Sequence, residues 1–131
     1  MQSDASTSKT SLWAGRILSA LPLLFLLVDG AMKLVKPAPV VEGTVRLGYS
    51  ESVILGLGIV LLVCVLLYAI PRTSVLGAIL LTGYLGGATA THVRVGDPLW
   101  MILFPGIFGV FIWGGLYLRD YRVRDLIPLR S

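Results

Sequence analysis

Four long apolar runs constrain this chain more than any other feature: roughly Leu12 to Val35, Ser52 to Ile70, Val75 to Val93, and Leu99 to Leu118. Each is close to the ~20 residues that a helix rising ~1.5 Å per residue needs to cross a ~30 Å hydrocarbon core. Composition points the same way: 56% of residues are hydrophobic and 14% are charged, with a mean hydropathy of +0.86. The expected fold is therefore all-α, a membrane-embedded four-helix bundle. At 131 residues the spans and their short loops leave no room for a separate soluble catalytic domain. Any chemistry has to lie between the helices or on a partner.

The sequence divides into a polar, disordered N-terminus over 1–11, a single transmembrane domain over 12–118 and a basic C-terminal tail over 119–131. Pro71, Arg72, Thr73 and Ser74 break the second span from the third, with Thr73 or Ser74 as the expected N-cap. Asp97 followed by Pro98 reads as an N-cap and first helical position for the fourth. The stretch from Lys36 to Ser50 is longer, and Val41, Val45 and Leu47 within it predict a short amphipathic helix on the surface or lidding the bundle.

Basic residues set the expected orientation. Lys9, Arg16, Arg72, Arg119, Arg122, Arg124 and Arg130 fall on the side of the termini, against Lys33, Lys36, Arg46 and Arg94 opposite. The larger group belongs on the cytoplasmic side, which places both termini there and points to a bacterial plasma membrane. The first segment is longer than a signal-peptide core and lacks a clear cleavage site, so it reads as a retained span. Lys and Arg scattered at span ends follow membrane topology; they form no nucleic-acid-binding patch.

Ionisable residues inside a span are costly unless they pair or face an interior cavity. Asp29 and Lys33, one helical turn apart, are such residues. Asp29 lies about six residues, ~9 Å of helix, below the end of its span. With this topology the third span brings His92 and Arg94 to a similar depth, and Asp97, Trp100, Glu42 and Tyr49 join them in a polar layer at the extracytoplasmic mouth. Asp29 and His92 are the candidate acid and base, and Lys33, Tyr84, Thr89, Arg94 and Trp100 the candidate ligand contacts. Blander readings stand beside these. Asp29 and Lys33 suit a structural ion pair with Lys33 snorkelling to the headgroups, and His92 suits a helix-end hydrogen bond. Arg94 suits a headgroup anchor, while Trp100 with Trp13, Trp113 and Tyr117 suits an aromatic belt.

Gly83 and Gly87 show the GxxxG spacing that permits close helix contact, either within the bundle or in a homo-oligomer. Counting limits the chemistry further. The single cysteine, Cys64, rules out an internal disulfide or dithiol relay, and one histidine leaves no His cluster for zinc or di-iron. No dinucleotide or P-loop motif is present, and no intrinsic cofactor or metal is expected.

Gly15 with Arg16, then Gly30, Lys33 and Leu34, and above all the run from Gly83 through Tyr84, Leu85, Gly86, Gly87, Ala88, Thr89, Ala90, Thr91, His92 and Val93 to Arg94, resemble the DoxX-like family of small four-helix membrane proteins. The resemblance covers about Leu12 to Leu118. It implies a subunit that binds quinone, or another lipophilic molecule, near the extracytoplasmic side and supports a redox or stress-response complex with a partner protein. One alternative is a non-catalytic scaffold recruiting a partner enzyme. Another is an intramembrane isomerase or hydrolase using Asp29 and His92.

Overall fold

The computed structural model describes residues 8–128, so the disorder expected over 1–7 and the last three residues of the tail lie outside the described part. Four long helices form the spans: α1 (Lys9–Val35), α3 (Ile54–Ala69), α4 (Ser74–Arg94) and α5 (Leu99–Arg119). The connector helix α2 (Ala38–Arg46) and a short C-terminal helix α6 (Tyr121–Leu126) complete the fold. With the single 3-10 turns Glu51–Val53 and Pro71–Thr73 that lead into α3 and α4, all four spans are long and apolar enough to cross a membrane. They turn large apolar side chains outward, among them Leu24, Leu66, Ile79 and Val110, each more than half exposed. In water such a surface would drive association; in a bilayer it is simply the lipid-facing side. The protein is an integral membrane protein.

Helix ends follow local chemistry, and several differ from the sequence reading. α1 begins at Lys9 because Ser8 caps it, its hydroxyl accepting from the Ser11 amide at 3.1 Å. It stops where Lys36 turns into the left-handed region and Pro37 follows. Thr73 and Ser74 make no side-chain cap for α4. Their hydroxyls donate back to carbonyls at the end of α3, Thr73 to Leu67 at 2.7 Å and Ser74 to Tyr68 at 2.7 Å, closing the turn between the two spans. Asp97 likewise is not the cap of α5. Pro98 occupies that position, and the Asp97 carboxylate is drawn instead to Arg46 and His92. Over 121–126 the basic tail folds as α6, with Asp120 capping it and Val123 buried.

The spans stand in a square: α1 packs on α3 and α5, and α4 packs on the same two neighbours. Glycines set two of these edges. A Cβ on Gly15 would lie 2.7 Å from the Gly115 carbonyl of α5, and one on Gly58 of α3 would lie 3.0 Å from the Gly30 carbonyl of α1. Backbones this close leave no space for a side chain. Gly83 and Gly87 make no such contact within the bundle, because a Cβ at either would meet nothing within 4 Å.

The packed half of the bundle lies toward the termini. Leu61, Ala78, Leu81, Ile112, Leu116 and Tyr68 are essentially inaccessible there. The Tyr68 hydroxyl donates to the Ile112 carbonyl at 2.7 Å. It therefore accepts from Ser19, also at 2.7 Å, while the Ser19 oxygen accepts from Arg119 Nε at 3.2 Å. One chain of hydrogen bonds thus ties α1, α3 and α5 together and leaves no buried hydroxyl unpaired.

Candidate functional site

At the connector end the spans enclose a chamber of about 370 Å³. Its walls are mostly apolar: Leu26, Leu57, Leu85 and Pro105, with three phenylalanines toward one side. Phe25 of α1 and Phe108 of α5 have ring centroids 4.8 Å apart, and Phe104 lies 4.9 Å from Phe108. Phe25 and Phe104 line the chamber and are nearly half exposed. Gly83, Gly87 and Ala88 of α4 also line it, and a Cβ at either glycine would meet nothing within 4 Å.

Polar groups gather at one end of this space. Asp29 and Lys33 come from α1, Thr44 and Tyr49 from the connector, and Tyr84, Thr91 and His92 from α4. Lys33 Nζ donates to Asp29 Oδ1 at 2.8 Å, with the lysine mostly covered and the carboxylate about a third exposed. Thr91 donates to the Gly87 carbonyl at 2.8 Å and so accepts from the Tyr49 hydroxyl at 2.9 Å. The Tyr84 ring is partly buried against the core cluster while also facing the chamber.

The connector is fastened over this end by two arginines. Arg46 donates two hydrogen bonds to Asp97, at 3.0 and 3.2 Å, in the fork geometry that matches a carboxylate. Asp97 also takes His92 Nδ1 at 2.6 Å. Its side chain is only 8% exposed. Hydrogen bonds from Arg46 and then His92 hold its carboxyl well below the usual range, down to about 2, while Asp97 in turn raises the Arg46 guanidinium. Arg94 donates to the Leu47 carbonyl at 2.5 Å. It lies beside Gly48, whose φ of 98° belongs to the left-handed region that favours glycine. The buried side of α2 is formed by Thr44 with partly covered Val40, Val41 and Leu47; Val45, expected on that face, is 47% exposed.

The chamber therefore brings together Asp29, Lys33, Tyr84 and His92 from the expected site residues. Asp29 and His92 border the same space but are each paired elsewhere, with Lys33 and Asp97. Three others lie apart from it. Thr89 lines a shallow groove between α4 and α5 with Trp113, Arg94 secures the connector, and Trp100 is 67% exposed on the outside. Glu42 is exposed as well. Sequence reasoning missed the three phenylalanines and Thr44. A phenylalanine facing a chamber and one facing lipid have the same sequence signature, and Thr44 reads as an ordinary connector residue.

Residues 17–115 match the family model described as the DoxX-like family. No curated protein and no solved structure matches the chain.

Proposed function

The chain belongs to the DoxX-like family, and from that premise and the form of its chamber we propose that it binds a lipophilic small molecule, such as a quinone. The apolar part of the ligand lies among the phenylalanines and its polar head lies against Asp29, Lys33 and His92. A single observation carries this reading: a 370 Å³ space with apolar walls and a few convergent polar groups at one end, the usual form of a small-molecule site. With the basic residues setting the orientation, the polar end faces the extracytoplasmic side and the termini face the cytoplasm. The chain then acts as a membrane subunit that offers a bound ligand to a redox or stress-response partner.

Binding of a short-chain benzoquinone to the protein in lipid nanodiscs tests this. Asp29→Ala removes the acceptor and frees the Lys33 ammonium, and we expect about tenfold weaker binding in a normally inserted protein. Unchanged affinity would remove Asp29 from the site. Absence of any saturable binding by the parent protein would leave a scaffold as the better description.

A further inference from the structure

An ionised carboxylate decides which nitrogen of an imidazole the chamber meets. His92 Nδ1 lies 2.6 Å from Asp97 Oδ2, and Arg46 holds Asp97 as an anion through two hydrogen bonds. An anionic carboxylate only accepts, so Nδ1 carries a proton whether the ring is neutral or charged. In the neutral ring Nε2 is then a bare lone pair. No protein group bonds Nε2 among the described residues, and no buried polar side-chain atom there lacks a partner. Nε2 is therefore open, and its ring borders the chamber.

We propose that His92 Nε2 is the hydrogen-bond acceptor that selects the hydroxyl-bearing form of the chamber's lipophilic ligand, with Asp97 as the positioning residue that enforces this tautomer. The inference rests on the chamber binding a lipophilic molecule, and it narrows the class. A phenol or quinol, which presents a ring O–H, is held in preference to the corresponding ether or quinone, which presents only lone pairs to another lone pair. Other polar groups facing this space also accept, but none of them has its acceptor state set by Asp97. Lys33 donates, the Tyr84 hydroxyl turns either way, and Tyr49, whose proton goes to Thr91, accepts. Asp29 is a second acceptor but already receives a bond from Lys33.

The test compares a para-alkylphenol with its methyl ether, by calorimetry on the full chain in lipid nanodiscs. At about pH 8 the phenol should bind roughly tenfold tighter than its ether. Asp97→Asn should reduce this preference, because a carboxamide supports either tautomer. Arg46→Gln unties the connector but leaves Asp97 on His92, and should keep the preference. A purely structural Asp97 would change both affinities alike and leave their ratio untouched. A ratio near one in the parent protein overturns the selection, and so does a preference that survives Asp97→Asn. If both probes bind equally throughout, the chamber reading stands and only the selection fails; if neither binds, both fail.

Discussion

Tyr68 and Asp97 are the two side chains on which most of the polar structure depends, at opposite ends of the bundle. Tyr68 joins Ser19 and the Ile112 carbonyl in the packed half. Tyr68→Phe keeps the ring but leaves Ser19 without its acceptor and the carbonyl with one bond fewer. We expect a loss of about 1–2 kcal/mol in unfolding measurements. Asp97 acts through charge. Its folded carboxyl is held at about 2, below the ordinary value of 3.8. The folded state therefore binds the proton less readily than the unfolded chain, so the contribution is fully present above about pH 4 and is lost as pH falls toward about 2. Amide exchange should show α2 losing protection across that interval while the spans keep theirs. Equal protection of α2 at about pH 5 and about pH 2 would contradict the fastening. In the sequence, Asp97 before Pro98 looks like a helix cap. The competing attraction of Arg46, distant in the chain, appears only when the connector folds back.

At the scale of elements, glycine has two opposite uses here that spacing alone does not separate. Gly115 permits contact: a Cβ there would meet the Ser19 side chain and lie 2.8 Å from the Gly15 carbonyl. Gly115→Ala should therefore destabilise the bundle by about 1–3 kcal/mol. Gly83 permits space, and a methyl group there meets nothing within 4 Å. Gly83→Ala should be neutral or slightly stabilising, since alanine favours a helix by about 1 kcal/mol. Parallel thermal unfolding of the two variants checks the contrast. The GxxxG pattern at Gly83 and Gly87 is the stronger motif in the sequence, yet the contacts are made by Gly15 with Gly115 and Gly30 with Gly58. These pairs come from different helices, so no local pattern marks them. The connector was legible as an amphipathic helix because its apolar spacing is local; the outward turn of Val45 was not.

For the whole molecule, the number of spans, their approximate limits and the family were legible, because hydrocarbon thickness and the backbone's need for internal hydrogen bonds leave few other solutions. The shared level of Asp29, Lys33 and His92 followed from the same topology. The chamber itself did not, because it depends on how far the spans approach at each end. The bundle closes toward the termini on its glycine contacts and the Tyr68 hydrogen bonds, and stays open toward the connector, where Gly83 and Gly87 leave one wall bare. The central claim is that this opening is a binding site. Filling it tests that most directly: Gly83 lines the opening and a Cβ there meets no neighbour, so Gly83→Leu adds bulk at that wall without a clash. Titrating a short-chain benzoquinone into this variant in nanodiscs should show at least about a tenfold loss of affinity, with thermal stability close to that of the parent protein. Undiminished binding by a stably folded Gly83→Leu protein would contradict the account.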